Sequence, residues 1–175
     1  MLLFGGPRPI DEVEDPIAQY MNKVIRMYDY DQSVIEETRR MLAAAEMLAR
    51  QAHAGQYRRD GVTPYISHPE AVAAYFPHDP YAAAVAWLHD VVEDTDVTFR
   101  DIRDRGFPIN VVVALGALTH MDDEPYQDYI ERALADPLAR RVKFADMLCN
   151  LADDPTEAQR LKYTKALAEF LPLLL

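Results

Sequence analysis

The sequence predicts an all-α fold, and three observations support this class. Apolar residues recur at helical spacing along most of the chain, and no stretch of useful length alternates apolar and polar residues. Gly and Pro residues interrupt the apolar segments at short intervals, as is typical of connections between neighbouring helices. Half of the 175 residues are hydrophobic, which is enough for a sizeable core. We therefore expect a single compact helical bundle.

The first 32 residues are expected to form an N-terminal extension with one helix packed on the domain. Gly, Pro and acidic residues dominate its start and predict an irregular lead-in. Pro16 suits the first turn of the following helix. Ser33 and Glu36 then have the spacing of a capping box, which predicts that a long helix begins there and runs to about Ala54. The main domain is accordingly predicted to span residues 33–175.

Start and stop signals predict the later helices. A second capping-box pattern, Thr98 with Asp101, marks one of these starts. The terminal apolar run contains Pro172 and is expected to pack on the domain or on a second copy of the chain. The predicted starts are near His68, Asp79, Thr98, Val111, Tyr126, Pro137 and Thr156, and the last helix ends near Leu171.

Composition excludes several classes of partner. The formal net charge of -11 argues against a binder of nucleic-acid polymers or of anionic membranes, because both require a basic face. An anionic small molecule remains compatible with this charge if basic residues gather around a cation. Cys149 is the only cysteine, so no internal disulfide can form. A cytoplasmic location is expected, since a single thiol fits a reducing compartment.

The predicted helix Ala82–Thr95 begins with an apolar run but also carries charged side chains. At about 100° per residue, His89 and Glu93 lie one turn apart, and Asp90 and Asp94 do the same. Burying three carboxylates and an imidazole is costly unless positive charge compensates them. No matching run of Lys or Arg occurs in the apolar segments. A divalent cation is the simplest compensation, so this stretch predicts a metal site.

Two further candidate ligands occur in other apolar helical segments. His53 ends the stripe formed by Leu42, Ala45 and Ala49, and Asp146 lies in a later helix. Spacing alone leaves other interpretations open, since His53 could be a core histidine and Asp146 a solvated acid. Together with the His-Asp pair they supply two imidazoles and two carboxylates, a set that suits Mn²⁺, Fe²⁺ or Zn²⁺. Such a set leaves coordination positions for water or substrate, which is typical of catalytic sites.

Three segments of the chain read, in order, AHAGQYRRDGVTPYISHP, LHDVVEDTDVTFRDI and VKFADMLCN. In sequence and in order they resemble the hydrolase domain of the RelA/SpoT family, within the HD phosphohydrolase superfamily. The resemblance implies an HD-domain helical bundle that holds one Mn²⁺ and removes the 3′-pyrophosphate from ppGpp or pppGpp. No synthetase domain accompanies these segments, so the chain resembles a small stand-alone alarmone hydrolase.

The resemblance also implies roles for individual residues. Glu93 and Asp94 match the acidic pair that orients or deprotonates the attacking water, and Asn150 matches an amide that holds a water or a phosphate oxygen. Taken alone, the two acids could equally support the ligands electrostatically, and Asn150 could satisfy a helix end. The implied metal ligands are His53, His89, Asp90 and Asp146. The implied substrate-binding residues are Arg58, Arg59, Tyr65, Arg160, Lys162 and Tyr163.

Other residues leave the substrate open. His68 lies in the same loop of the family pattern as Tyr65, and a structural hydrogen bond is favoured over metal ligation for it. Arg58 and Arg59 could be solvated loop residues that do not bind substrate. The chain has Cys149 where the long enzymes have a histidine, and acidic residues follow Asn150 where a basic one is more usual. Two alternatives to ppGpp hydrolysis therefore remain. One is hydrolysis of another phosphorylated nucleotide such as NADPH, and the other is a non-catalytic nucleotide-binding regulator.

Overall fold

The computed structural model of the chain describes residues 16–173; before residue 31 it describes only the side chains of residues 19–21, 23 and 25. The predicted lead-in and the last two residues of the terminal apolar run lie outside this range. The chain divides into two units, Met1–Glu37 and Thr38–Leu175. The predicted boundary between residues 32 and 33 stays a prediction. Every candidate site residue belongs to the second unit.

Helix α1 spans Pro16–Ala52 without interruption. The predicted start of a separate helix at Ser33 is therefore wrong, whereas the predicted end near Ala54 is close. No Gly or Pro occurs between Ile17 and Ala54. A serine costs a helix interior only a fraction of a kcal/mol, so nothing in this stretch stops the first helix.

The second unit is built from short helices, and the all-α class is confirmed. Within residues 16–173 the one β-type pairing is an isolated antiparallel bridge between Tyr57 and Pro64. No helix in this range combines the length and apolar composition needed to cross a lipid bilayer. After α1 the helices are α2 (Ser67–Ala73), α3 (Pro80–Leu88), α4 (Val91–Asp94), α5 (Phe99–Asp104), α6 (Ile109–Leu118), α7 (Tyr126–Ala135), α8 (Pro137–Ala152) and α9 (Glu157–Phe170), followed by a 3₁₀ turn at Leu171–Leu173.

Helix α3 is the buried centre of the second unit. Every residue from Ala82 to Leu88 is buried, and the helix packs against α2, α6 and α8. A helix that is apolar on all sides belongs in the interior, so this burial follows directly from the sequence. Asp79 caps the helix, because its carboxylate accepts a hydrogen bond from the Ala82 N–H at 3.0 Å.

The predicted single helix over Ala82–Thr95 is interrupted at His89 and Asp90. Asp90 has φ -96° and ψ -7°, which departs from regular helical values. One backbone hydrogen bond, from the Asp94 N–H to the Asp90 carbonyl oxygen at 2.8 Å, leads into α4. The His-Asp pair therefore lies at a junction between two helices instead of in the middle of one.

Capping residues fix the later helices as predicted. Thr98 and Asp101 each accept a hydrogen bond from the other's backbone N–H, which confirms the predicted capping box. Thr156 forms a second capping box at the start of α9. Helix α8 begins at Pro137, as its proline and the preceding capping aspartate indicate.

Candidate metal and active site

A cavity of about 230 Å³ in the second unit brings carboxylates and amines together. Its walls come from α2, α4, α7, α8 and α9 and from the segments between them. The lining side chains are Tyr65, His68, Asp90, Glu93, Asp94, His120, Tyr126, Tyr129, Lys143, Asp146, Asn150, Lys162 and Tyr163. Eight of these are residues that the sequence predicted for the site: Tyr65, Asp90, Glu93, Asp94, Asp146, Asn150, Lys162 and Tyr163.

His89 presents one ring nitrogen that has no hydrogen-bond partner. The residue is 4% exposed, and its Nδ1 lies 2.7 Å from the Ala86 carbonyl oxygen. Because a carbonyl oxygen only accepts, we assign the proton to Nδ1, which leaves a lone pair on Nε2. That Nε2 is buried and makes no hydrogen bond to any described residue. An imidazole held in this way is typical of a metal ligand.

His53 is arranged in the same manner. It is 2% exposed, and its Nδ1 lies 2.8 Å from Gln56 Oε1. The Gln56 amide nitrogen donates to the Asp94 carbonyl oxygen at 2.9 Å, so the amide oxygen faces the histidine. The His53 Nε2 is buried and, among the described residues, has no partner. Its ring also contacts Tyr65, with centroids 4.8 Å apart.

Four ligand-type atoms converge beside the cavity. His68 Nε2 lies 3.0 Å from Asp146 Oδ1 and 3.7 Å from Asp90 Oδ2. His89 Nε2 lies 3.2 Å from Asp90 Oδ2 and 3.7 Å from Asp146 Oδ1. The nitrogen and oxygen atoms of His68, His89 and Asp90 all lie within 4.8 Å of one another. Such spacings resemble those of ligands around one ion with bonds of about 2.1 Å.

Asp146 has partners on both carboxylate oxygens. Lys143 Nζ lies 2.8 Å from Oδ2, and the Asn150 amide donates to Oδ1 at 2.6 Å. Burial lowers the pKa of Lys143, but attraction to Asp146 outweighs it, so the pKa is raised well above its ordinary value. One basic residue, Lys143, therefore accompanies the buried Asp146, although the sequence has no run of Lys or Arg there. Glu93 and Asp94, which the sequence placed with the buried acids, are not buried. Charge compensation alone therefore does not require a metal ion at Asp146, and the observation that points to one is the pair of imidazole nitrogens without hydrogen-bond partners.

The two acids after the His-Asp pair have different surroundings. The Tyr65 hydroxyl lies 2.7 Å from Asp90 Oδ2 and 2.9 Å from Asp94 Oδ2. Glu93 accepts a hydrogen bond from the His120 backbone N–H at 3.0 Å. Loss of surrounding water raises the pKa of Glu93 above its ordinary 4.5, and that hydrogen bond offsets only part of the effect. A cavity carboxyl with a raised pKa is suited to accept a proton.

The predicted substrate arginines lie outside the lining of this cavity. Arg58 donates to Asp153 Oδ2 from Nε at 3.0 Å and from Nη2 at 2.5 Å. It lines a second cavity, of about 330 Å³, that also borders His68. Arg59 donates to Gln159 Oε1 at 3.0 Å, and Arg160 donates to a backbone carbonyl oxygen.

Several residues in the site were not predicted to function there. Lys143 stands three positions before Asp146, one helical turn, so its sequence position could have shown that the two side chains meet. His120 carried no such signal, because α6 and α7 bring it beside Glu93 only in the folded chain. Tyr126 and Tyr129 likewise gave a helical apolar pattern that does not distinguish a cavity wall from a core.

The donor set fits a divalent first-row metal ion. Two buried imidazole nitrogens lack partners, and two carboxylates stand next to one of them. Nitrogen and oxygen donors in this mixture suit Mn²⁺, Fe²⁺ or Zn²⁺. A helical fold whose buried centre ends in such a His-Asp pair defines an HD-domain protein.

Comparisons with known proteins identify the family more closely. The human guanosine-3′,5′-bis(diphosphate) 3′-pyrophosphohydrolase MESH1 is 35% identical over 130 residues, which cover 67% of this chain and 70% of the human protein. The bifunctional (p)ppGpp synthase/hydrolase SpoT of Escherichia coli K12 is 33% identical over 141 residues, which cover 79% of this chain. The chain therefore belongs to the family of guanosine-3′,5′-bis(diphosphate) 3′-pyrophosphohydrolases.

A solved structure agrees with this assignment. The metazoan SpoT orthologue described as hydrolysing ppGpp superposes with a TM-score of 0.63 at 28% identity, covering 75% of this chain and 85% of that one. No family model matches the chain. The chain spans 18% of the length of Escherichia coli SpoT and 17% of that of a GTP pyrophosphokinase from Streptomyces coelicolor.

Proposed function

We propose that the chain is a Mn²⁺-dependent 3′-pyrophosphohydrolase of ppGpp and pppGpp. The observation that carries this proposal is the pair of buried imidazole nitrogens of His53 and His89 without hydrogen-bond partners, whose neighbours Tyr65 and Asp90 line the acidic cavity. Family membership supports the substrate, because the human relative is named for this activity. Water would add to the phosphorus attached to the 3′ oxygen, so ppGpp would give GDP and pyrophosphate.

The ion would be held by His53, His89, Asp90 and Asp146, as the resemblance implies. When bound, it would supply Lewis acidity toward a water molecule and the phosphoryl oxygens. His68 Nε2 lies 3.0 Å from Asp146 Oδ1. His68 would therefore either donate a hydrogen bond to Asp146 or bind the metal ion as a further ligand. Gln56 and the Ala86 carbonyl oxygen fix the two other rings through their Nδ1 atoms.

Glu93 is the proposed proton acceptor for the attacking water. Its carboxyl lines the cavity, and its raised pKa brings it closer to neutral pH. Asp94 assists by sharing the Tyr65 hydroxyl with Asp90, which fixes the orientation of both carboxylates. Asn150 would offer its amide to a water or a phosphate oxygen, although in this structure it donates to Asp146.

Substrate phosphates would meet Lys162, Tyr163 and Tyr65 in the cavity. Arg58, Arg59 and Arg160 are proposed to bind the more distant part of the nucleotide. To do so, Arg58 would have to exchange Asp153 for a phosphate oxygen, which a guanidinium can bind in bidentate fashion. We also propose that a second copy of the chain is a partner. The proposed location is the cytoplasm.

The Arg58–Asp153 ion pair also favours a second candidate function. A loop whose arginine is already neutralised has less charge to offer a tetraphosphate. Hydrolysis of a less charged phosphorylated nucleotide, such as NADPH, is therefore the alternative. A regulator without turnover is disfavoured, because a binder has no need of Glu93 and Asp94 beside the metal ligands.

A substrate panel with metal analysis on the same sample tests these functions. Purified protein with added MnCl₂ would be incubated with ppGpp, pppGpp, NADPH and nucleoside 3′-monophosphates, and the products separated. We expect pyrophosphate and GDP from ppGpp. Phosphate from NADPH alone would favour the alternative, and nucleotide binding without any product would contradict an enzyme.

Variants then assign the roles. Asp90→Ala should lose bound metal and activity together, because it removes a ligand. Glu93→Gln should keep the metal and lose roughly 10²- to 10⁴-fold in rate, as expected for removal of a general base. Asp96→Asn, an exposed acid outside the cavity lining, is the matched control and should keep its rate. Full activity in Asp90→Ala would defeat the ligand assignment.

A further inference from the structure

We propose that Lys143 is an internal counter-ion of Asp146 that competes with the metal cation for this carboxylate and so lowers the affinity of the site for metal. Because the metal site is itself part of the proposed function, the experiments below separate the two. Sequence similarity assigns no role to this lysine, and its position in the folded chain suggests one.

The ion pair is formed within one turn of α8 and is shielded from water. Lys143 Nζ lies 2.8 Å from Asp146 Oδ2, and the side chains are 13% and 5% exposed. The ammonium also lies 5.0 Å from the centroid of the Tyr129 ring, which favours a cation at that point. A charge pair with so little solvent around it is screened less than one on the surface.

Partners other than Lys143 also orient Asp146. Its other oxygen, Oδ1, accepts a hydrogen bond from the Asn150 amide at 2.6 Å and lies 3.0 Å from His68 Nε2. Loss of the ammonium would therefore change the charge at the carboxylate more than its position. This distinguishes Lys143 from a residue that merely holds a ligand in place.

The sign of the effect follows from electrostatics. Outer partners of histidine ligands accept a proton from the ring, and their loss weakens metal binding about 10- to 100-fold. Lys143 instead places a positive charge beside the carboxylate that would bind the metal cation, so the ammonium group and the metal cation repel each other. Without metal, the same charge offsets the cost of burying Asp146.

Titration of the metal-free protein with MnCl₂ by calorimetry tests the competition. Lys143→Met should bind Mn²⁺ at least about tenfold more tightly than the wild type, since like-charge repulsion is removed. Lys143→Arg keeps the positive charge, so its affinity for Mn²⁺ should stay within about threefold of the wild-type affinity. Lys162→Met is the matched control, because it removes the other lysine of the cavity, which makes no ion pair in the described part of the chain. It should also stay within about threefold.

Unfolding in urea with a chelator present provides the second readout. Lys143→Met should be less stable than the wild type without metal, and the difference should shrink at saturating Mn²⁺. If Lys143→Met does not fold, Lys143→Gln, which keeps a donor for Asp146 without the charge, should show the same tightening.

The outcomes separate the two proposals. Unchanged or weaker Mn²⁺ binding by the neutral variants overturns the competition, even if the wild type hydrolyses ppGpp. Tighter binding by those variants supports it, even if no nucleotide is hydrolysed, in which case the proposed function alone fails. A wild type without Mn²⁺ affinity overturns both.

Discussion

Gln56 orients His53, which is a candidate metal ligand. Its oxygen accepts from His53 Nδ1, while its nitrogen donates to the Asp94 carbonyl oxygen. The second contact fixes which end of the amide faces the ring, and the first then fixes the ring's tautomer. Gln56 would therefore affect a bound metal ion through His53.

Removal of the Gln56 amide should weaken metal binding. We expect Gln56→Leu to bind Mn²⁺ about 10- to 100-fold less tightly, because the His53 Nδ1 loses its acceptor and the ring its fixed orientation. Calorimetric titration of the metal-free protein measures this. Gln51→Leu, at an exposed position of α1, is the control and should match the wild type. Equal affinities in the two variants would show that His53 is not a ligand or needs no support.

The element that positions the site is α3, and its N-terminus is fixed by Asp79. One carboxylate oxygen accepts from the Ala82 N–H at 3.0 Å, and the other accepts from Arg141 of α8 at 2.6 Å. Partial burial raises the pKa of Asp79, but these donors outweigh it, so the pKa lies below its ordinary 3.8. The helix is thereby joined to α8, which carries Asp146.

Loss of this cap should destabilise the fold in a pH-dependent manner. Asp79→Ala should lower the free energy of unfolding by about 1–2 kcal/mol near pH 7, because a helix cap is removed. A lowered native pKa contributes stability above the unfolded pKa and loses it as pH falls through the native value. The difference between wild type and variant should therefore be full above about pH 4 and shrink below it.

Urea unfolding at a series of pH values measures this difference. Asp104→Ala is the control, because within the described part of the chain that exposed acid forms long ion pairs of 3.9 Å with Arg100 and Arg103. The free energy of unfolding of Asp104→Ala should stay within about 0.5 kcal/mol of the wild-type value at every pH. A loss for Asp79→Ala that does not vary with pH would show that its ionisation adds nothing to the cap.

The sequence predicted helix starts correctly where neighbouring residues alone determine them. The capping residues Thr98 and Thr156 and the proline at Pro137 were sufficient to place α5, α8 and α9. The helix start predicted at Ser33 was wrong, because a capping pattern does not begin a new helix where the preceding residues are already helical. The junction at Asp90 could not be read from periodicity, since apolar spacing continues across it.

In the molecule as a whole, the site depends on contacts between distant parts of the chain. That the candidate ligands bind a metal stays a prediction, but the burial of His53, His89 and Asp146 was predictable, because each lies in or beside an apolar segment. The arrangement of His120, Tyr126 and Lys162 around them was not, since it arises from the packing of α6, α7 and α9. Nor could the sequence show that Arg58 meets Asp153, a contact between residues 95 positions apart.

Because the candidate ligands come from separate elements, metal binding should stabilise the whole second unit. His53 directly follows α1, the His-Asp pair follows α3, and Asp146 lies in α8. An ion that binds only the folded state at 100 times its Kd adds about 2.7 kcal/mol. For a chain of this size, such a gain corresponds to roughly 5–10 °C in Tm.

Calorimetric melting with Mn²⁺ in excess and with a chelator measures this shift. The wild type should melt roughly 5–10 °C higher with the ion, because unfolding must then release it. Asp90→Ala is the matched control and should melt at one temperature under both conditions, since it lacks a ligand. A wild type whose Tm does not respond to Mn²⁺ would contradict the metal site. An equal shift in Asp90→Ala would instead place the binding of Mn²⁺ elsewhere on the protein.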